Sequence, residues 1–131
     1  MTCNLIFYDT ETTGIHKDFS QIIQCGSIFT DNLLKVIEEQ NIGSKPLPWI
    51  IPQPKAMRTN KKINSFSSNV SHYQMMKDIQ HQWKEWCVDS PSIFVTYNGH
   101  AFDEELIRRQ FWCNLLEPYV TNTNQNGRLD L

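Results

Sequence analysis

Three apolar segments joined by short links fill the first third of the sequence and limit the sheet that it can form. The segments cover residues 5–10, 21–30 and 34–41, and the first of them is rich in aliphatic and aromatic side chains. Short links between strands favour antiparallel hairpins. The sequence therefore predicts a three-stranded antiparallel meander, with a turn at Asp31-Asn32 before the third strand.

A helix is predicted to begin after Ser71. Gln74 stands three residues later, as in a capping box, in which each side chain bonds the backbone N–H of the other residue. Spacings of three and four residues then place four apolar side chains on one face: Met76, Ile79, Trp83 and Trp86. An aromatic binding surface would share this pattern, but we interpret the stripe as the face that packs on the sheet.

The apolar segment 92–97 is predicted to be a further strand. Because the chain reaches it through a helix, the strand should run parallel to its neighbour by a right-handed crossover. Asn98-Gly99 turns the chain, and residues 101–116 favour a second helix that ends before Pro118. The predicted fold class is α/β: a mixed sheet in which an antiparallel meander is followed by helix, parallel strand and helix.

Composition fits a globular domain of ordinary size. The chain has 131 residues, 40% of them hydrophobic, and a net charge of -2, so it has enough apolar side chains to bury a core. No segment approaches the roughly 18 apolar residues of a membrane helix, and the N-terminus lacks the features of a signal peptide. Four widely spaced cysteines without a C-x-x-C pair disfavour a zinc site or disulfide framework and favour a reducing compartment. We expect one domain over residues 1–131, located in the cytoplasm.

The segment 43–69 differs from its surroundings. It carries four prolines and no sustained periodicity, which predicts a long loop. Four basic residues fall within eight positions that contain no acid: Lys55, Arg58, Lys61 and Lys62. Local charge rather than net charge decides polyanion binding, so this basic cluster is either a nucleic-acid contact or a solvated loop.

Two carboxylates stand at the end of the first predicted strand. Asp9 and Glu11 are two residues apart and therefore face one side, opposite to Tyr8 and Thr10. Two carboxylates at such a short separation raise each other's pKa unless a cation lies between them. The pattern indicates either a solvated strand end or a cation site.

Three acidic residues open the second predicted helix. Asp103, Glu104 and Glu105 lie in its first turn, where negative charge is favoured by the helix dipole. We interpret Glu104 and Glu105 in this way. Asp103 differs because of the motif that surrounds it.

Two short motifs resemble those of a nuclease superfamily. Residues 7–14, Phe-Tyr-Asp-Thr-Glu-Thr-Thr-Gly, resemble the first motif of the DEDD 3′–5′ exonucleases, and residues 98–103, Asn-Gly-His-Ala-Phe-Asp, resemble the second, N-x-x-F-D. More narrowly, residues 97–119 and the element Pro52-Gln53-Pro54 with Ala56 are similar to the exodeoxyribonuclease I family of bacteria. The resemblance implies an RNase H-like fold.

The resemblance also implies a two-metal hydrolytic site. In the family, two divalent ions activate water and stabilise the leaving 3′-oxygen. Asp9 would bridge both ions, Glu11 would bind the ion on the nucleophile side, and Asp103 would act mainly on the other. A cluster of carboxylates suits Mg²⁺, for which Mn²⁺ is expected to substitute.

Nucleic-acid contacts are implied for several further residues. Thr12, Thr13 and Gly14 would lie beneath the terminal nucleotide, and Asn98 would hold the turn that aims Asp103. Phe102 would either touch a base or pack in the core. The basic cluster would lie beside the active site.

The family's third motif has no counterpart after Asp103. That motif, H-x-x-x-x-D or Y-x-x-x-D, supplies the fourth metal ligand and the general base. We interpret Asp130 as the start of a helix rather than as that ligand, and we expect a strand and two helices to be missing, which would leave apolar sheet surface uncovered. The chain alone should be weakly active or inactive, with a C-terminal region or a second chain supplying the third motif.

The leading hypothesis is a 3′–5′ exonuclease that acts on the 3′ end of single-stranded DNA. A non-catalytic nucleic-acid-binding module and a 3′–5′ exoribonuclease are the alternatives, because recognition of a 2′-OH cannot be read from these motifs. His16, His72 and His81 are expected at the surface, and His100 is left without a role.

Overall fold

The protein forms a five-stranded mixed sheet with its two longer helices packed on one face. The structure, a computed structural model, describes residues 2–59, 67–97, 99 and 102–131. The strands are β1 (Asn4–Thr12), β2 (Ile22–Thr30), β3 (Val36–Gly43), β4 (Ser92–Thr96) and β5 (Gly127–Asp130). Their order across the sheet is β3-β2-β1-β4-β5.

The pairing of the strands confirms the predicted meander and crossover. β1 pairs with β2, and β2 with β3, in antiparallel register. β4 runs parallel to β1, with Phe7 opposite Val95 as their last pair. The predicted α/β fold class is therefore confirmed.

Helices occupy the connections that follow the meander. They are α1 (Pro54–Thr59), α2 (His72–Trp86) and α3 (Asp103–Cys113), with a short 3-10 turn at Val120–Asn122. The prediction of an uninterrupted loop over residues 43–69 is wrong at α1. This single helical turn begins at a proline, whose fixed φ suits a first helical position, and it buries Met57.

Helix α2 begins as predicted, although only half of the capping box forms. Ser71 Oγ accepts a hydrogen bond from the Gln74 backbone N–H at 3.1 Å, whereas the Gln74 side chain turns to Asp78. The predicted stripe is buried along its whole length, so the core-packing interpretation is confirmed. Trp83 packs against the rings of Tyr8, Phe94 and Phe111.

Helix α3 is shorter than predicted and ends at Cys113. Leu115 takes a left-handed conformation with φ of 59°. The N–H of Leu116 returns to the carbonyl of Phe111 at 2.9 Å, as in a Schellman ending. These bonds satisfy the last carbonyls of the helix and stop its propagation.

Strand β5 corrects the prediction for the last residues of the chain. Asp130 lies in a strand that pairs in parallel with β4, opposite Thr96, and not at the start of a helix. Its carboxylate accepts a hydrogen bond from the Gly99 N–H at 2.9 Å. The strand that we expected to be missing from the sheet is therefore present.

The face of the sheet opposite the helices carries exposed apolar side chains, in agreement with the prediction of uncovered sheet surface. Ile28 on β2 and Leu129 on β5 are both more than a third exposed. Within the described part of the chain, no helix is both long enough and apolar enough to cross a membrane.

Candidate active site

Asp9 lies at the open end of β1 and faces the uncovered side of the sheet. It is exposed and Glu11 is half-buried, whereas Tyr8 and Thr10 are buried on the helix side, so the predicted alternation is confirmed. Gly26 stands opposite Asp9 on β2, and a Cβ there would meet no atom within 4 Å. Asp9 therefore borders open space on this face.

That space is a groove of about 580 Å³ along the middle of the sheet. Its lining comes from β1, β2, β3 and β4, and it includes Asp9, Gly26, Ile28, Val95 and Tyr97. The Tyr97 ring is 83% exposed at the end of β4. A carboxylate, an apolar floor and an exposed ring therefore share one concave surface.

Asp103 sits where β1 and β4 diverge. The two strands stop pairing after Phe7 and Val95. Beyond that pair, Thr10 of β1 hydrogen bonds to Asp103 and not to β4. The hydroxyl of Thr10 donates a hydrogen bond to the Asp103 carboxylate, and the Thr10 backbone also hydrogen bonds to it. The start of α3 is thereby fixed to the end of β1.

The pKa of Asp103 depends in part on the charge of Asp9. Burial raises the pKa of the Asp103 carboxyl above its ordinary value, and the nearby Asp9 charge raises it further, although the bond from Thr10 opposes both effects. Two carboxylates that repel in this way would be relieved by a cation between them.

This donor set fits a divalent ion that prefers oxygen ligands. Mg²⁺ is commonly held by one or two carboxylates, with water and substrate phosphate completing its shell. Asp9 and Asp103 satisfy that requirement. Among the described residues, no group of three or more His, Cys, Asp or Glu side chains is gathered closely enough to hold a metal, so Glu11 is not brought into one cluster with the other two.

The turn after β1 is closed by its own threonines. Thr12 Oγ1 donates to the Gly14 carbonyl at 2.7 Å, and Thr13 Oγ1 accepts from the Gln21 N–H at 2.9 Å. Both side chains are buried. Any contact of this turn with a nucleotide would therefore involve its backbone rather than these hydroxyls.

Gln53 joins this turn to the proline-rich segment. Its N–H donates to the Thr13 carbonyl at 2.7 Å, and its side-chain oxygen accepts from the Ile15 N–H at 3.1 Å. A Cβ on Gly14 would approach the Gln53 side chain to 2.8 Å. The sequence did not predict a functional role for Gln53, although this residue lies in the Pro52-Gln53-Pro54 element that resembles the family.

The remaining nucleic-acid candidates fall into three groups. Lys55 and Arg58 are exposed on α1. Phe102 is half-buried and packs against the hydrophobic core. Lys61, Lys62 and Asn98 lie outside the described residues.

Glu104 corrects the interpretation drawn from the helix dipole. It is only 3% exposed, and its carboxylate accepts hydrogen bonds from Tyr8 at 2.8 Å and from Thr121 at 2.7 Å. Arg108 and Arg128 approach it to 3.1 and 3.3 Å. Glu104 is thus a buried junction between β1, α3, β5 and the 3-10 turn, whereas Glu105 is half-buried and pairs with Lys17 and Arg109.

His72 corrects a second expectation. It is 4% exposed rather than at the surface, and burial lowers its pKa from 6.5 to about 4. His16 and His81 are exposed, as predicted.

Comparison with known proteins finds relatives that are named exodeoxyribonuclease I. No family model matches the chain. Exodeoxyribonuclease I of Buchnera aphidicola from Schizaphis graminum is 29% identical over 98% of this chain and 27% of the relative, and the Escherichia coli enzyme is 27% identical over 96% of this chain and 26% of the relative. The chain resembles exodeoxyribonuclease I. It spans about a quarter of the length of these relatives.

Solved structures of exonuclease I, among them one of the E. coli protein, confirm the resemblance and the fold. A zinc-bound complex of exonuclease I with single-stranded DNA superposes with a TM-score of 0.88 at 26% identity, covering 100% of this chain and 28% of that one. A product-bound structure gives a TM-score of 0.87 at the same identity, covering 100% of this chain and 30% of that one. The predicted likeness to a DEDD exonuclease, and to exodeoxyribonuclease I in particular, is therefore confirmed.

Proposed function

We propose that this chain forms the metal-binding portion of a 3′–5′ exonuclease that degrades single-stranded DNA. The observation that carries the proposal is the hydrogen bond between Asp103 and Thr10, the residue that follows Asp9, which fixes the start of α3 beside the end of β1. The charge of Asp9 also raises the pKa of Asp103. E. coli exonuclease I, which shares this fold, has been solved with single-stranded DNA and with bound zinc. Both facts support a phosphodiester substrate and a divalent cofactor.

Asp9 and Asp103 would hold the metal. Glu11 is not gathered with them in the described residues, and it is proposed as the third carboxylate because of its place in the first motif. Divalent ions bound there would supply a nucleophilic water and neutralise charge on the scissile phosphate. Mg²⁺ is the proposed physiological ion and Mn²⁺ its substitute, in agreement with oxygen-only ligands. Thr10 would contribute by orienting the Asp103 carboxylate through its hydroxyl.

The terminal nucleotide would lie in the groove beside Asp9. Gly26 leaves room for it on the sheet surface, and the exposed ring of Tyr97 offers a surface for base stacking. The backbone of Thr12, Thr13 and Gly14 would approach the sugar. Phe102, which is half-buried and packs against the core, is proposed as a neighbour of the last base.

Basic side chains on and after α1 would bind the phosphates of the DNA that leads to the site. Gln53 fixes the start of α1 to the turn after β1, so the exposed Lys55 and Arg58 are held near the motif. Lys61, Lys62 and Asn98 remain part of the proposal on the strength of the sequence resemblance.

A general base and a fourth ligand would come from outside residues 1–131, in a further region of the protein or in a second chain. Groups that act together in catalysis are strongly non-additive. We therefore expect slow cleavage by the 131-residue chain alone. A cytoplasmic location remains an expectation from the sequence.

The test is cleavage of a 5′-labelled single-stranded oligonucleotide, with the chain in excess over DNA so that slow turnover is visible. We expect a ladder shortened from the 3′ end in Mn²⁺ or Mg²⁺, abolished by EDTA and by Asp9→Asn. Asp89→Asn is the matched control, because Asp89 is exposed in the loop that precedes β4, at the other end of the sheet. DNA binding that ignores both metal and Asp9 would instead indicate a non-catalytic module, and preference for an RNA oligonucleotide would indicate an exoribonuclease.

A further inference from the structure

Glu104 is a buried carboxylate that the proposed chemistry does not use. One oxygen accepts from the Tyr8 hydroxyl, and the other accepts from Thr121 and lies beside the two guanidinium groups of Arg108 and Arg128. A carboxylate removed from water needs such partners to remain charged. Glu104 is therefore held in one position by groups from four elements.

Two parallel links connect β1 to the start of α3. Tyr8 bonds Glu104, and Thr10 bonds Asp103. Tyr8 and Thr10 flank Asp9 on β1. Asp9 is therefore adjacent to Tyr8, and Asp103 is adjacent to Glu104. The buried bond between Tyr8 and Glu104 joins β1 to α3.

Besides these two links, an ion pair between Glu105 and Lys17 at 2.7 Å holds the first turn of α3. Its N-cap residue, Phe102, makes no side-chain capping bond. The backbone N–H groups of Phe102 and Glu104 both return to the Gly99 carbonyl, at 3.1 and 2.9 Å. A helix start without a polar cap depends more on tertiary contacts to fix its position.

We infer that Glu104 is a positioning residue, which holds Asp103 at the distance from Asp9 that a divalent ion requires, through its bond to Tyr8. The inference rests on the proposed function, because it assigns a role towards the same metal site. Substitution of a residue that orients a metal ligand commonly lowers metal affinity, although the residue does not contact the metal.

The test compares two variants that each remove one hydroxyl from Glu104. Tyr8→Phe deletes the bond at 2.8 Å that reaches β1, and Thr121→Val deletes the bond at 2.7 Å that reaches the 3-10 turn. We expect Tyr8→Phe to weaken Mn²⁺ binding roughly tenfold and Thr121→Val to change it by less than about twofold. Mn²⁺ affinity is measured by titration of the 131-residue chain, with circular dichroism and thermal unfolding showing that each variant is folded.

A third variant separates positioning from general loss of stability. Glu104→Gln keeps the size of the side chain but loses its charge. We expect it to weaken Mn²⁺ binding, and the addition of Tyr8→Phe to cause little further loss, because both changes break the same link. If Glu104→Gln does not fold, the comparison of Tyr8→Phe with Thr121→Val still tests whether Glu104 positions Asp103.

Asp9→Asn distinguishes failure of this inference from failure of the proposed function. Loss of Mn²⁺ binding in Asp9→Asn, with unchanged affinity in folded Tyr8→Phe, would overturn the role of Glu104 and leave the metal site intact. Unchanged Mn²⁺ affinity in Asp9→Asn would overturn the metal site itself, and the role of Glu104 with it. Equal losses in Tyr8→Phe and Thr121→Val would show a structural role only.

Discussion

The Thr10 hydroxyl donates a hydrogen bond to the Asp103 carboxylate and so joins the end of β1 to the first turn of α3. The contact spans 93 residues of sequence. It places one carboxylate of the second motif beside the strand that carries the first motif. The site thus depends on a contact between side chains on the helix side of the sheet, although Asp9 faces the other side.

Removal of this hydroxyl should affect both stability and metal binding. Thr10→Val keeps the shape of the side chain but deprives Asp103 of a donor, and loss of a hydrogen bond to a charged group costs about 1.5–3 kcal/mol. We expect a lower free energy of unfolding in urea together with weaker Mn²⁺ binding. Thr30→Val is the control, since buried Thr30 bonds a backbone carbonyl at the other end of the sheet. A loss of Mn²⁺ affinity in the control as large as in Thr10→Val would refute the assignment.

The burial of His72 should make the chain sensitive to acid. Its pKa is lowered from 6.5 to about 4, so the folded state binds this proton less readily than the unfolded state. Its contribution to stability is therefore present above pH 6.5 and is lost as the pH falls towards 4. The difference between the two pKa values corresponds to roughly 3 kcal/mol at most.

Urea unfolding of wild type and His72→Leu between pH 7 and pH 4 measures this effect. The variant should lose less stability over that range than the wild-type chain does. His81→Leu serves as the control, because His81 is exposed on the same helix, and its curve should follow wild type. Parallel curves for His72→Leu and wild type would exclude the buried neutral histidine as the cause.

Two glycines in the site region should respond to alanine in opposite directions. At Gly26 an added Cβ meets nothing within 4 Å, so Gly26→Ala should gain about 0.4–1 kcal/mol by restricting the unfolded chain. At Gly99 an added Cβ would lie 2.5 Å from the Thr96 side chain, and such overpacking costs about 1–3 kcal/mol. Thermal or urea unfolding checks both, and a stabilised Gly99→Ala would contradict the packing described for the end of β4.

The basic residues of α1 should determine part of the salt dependence of DNA binding. Each phosphate contact adds about 0.7 to the slope of log affinity against log salt for single strands. Reversal of Lys55 and Arg58 to glutamate should therefore weaken binding and flatten the slope by about 1.4 if both contact phosphates. The same reversal of Lys61 and Lys62 should act in the same direction.

Lys77 and Lys84 provide the control for charge alone. Both lie on α2, so Lys77→Glu with Lys84→Glu changes the net charge equally but should leave the slope near that of wild type. Fluorescence anisotropy with a labelled oligonucleotide at several salt concentrations supplies the slopes. An equal slope change in both double variants would attribute the effect to net charge.

Regular periodicity made most of the fold predictable. The alternation along β1 determined which side Asp9 and Glu11 face, and the stripe on α2 identified the core face. Strand β5 was missed because four residues after an Asn-rich segment carry too little pattern, and its pairing partner lies more than thirty positions earlier. Helix α1 was missed because a single turn has no periodicity to detect.

The residues of the candidate site could be predicted only in part from the sequence. The family resemblance predicted that Asp103 belongs to the same site as Asp9, but the sequence did not distinguish Glu104 from Glu105. That difference arises from Tyr8, Thr121 and Arg128, which are remote in sequence and meet Glu104 only in the folded chain. Burial of His72 was missed for the same reason, since a single histidine at a helix start is usually exposed.

The most direct measurement for the metal site is the concentration of free Mn²⁺, followed by electron paramagnetic resonance during titration of the chain. We expect saturable Mn²⁺ binding that Asp9→Asn and Asp103→Asn each weaken strongly and that Asp89→Asn leaves unchanged. Identical Mn²⁺ binding by wild type, Asp9→Asn and Asp103→Asn would contradict this expectation.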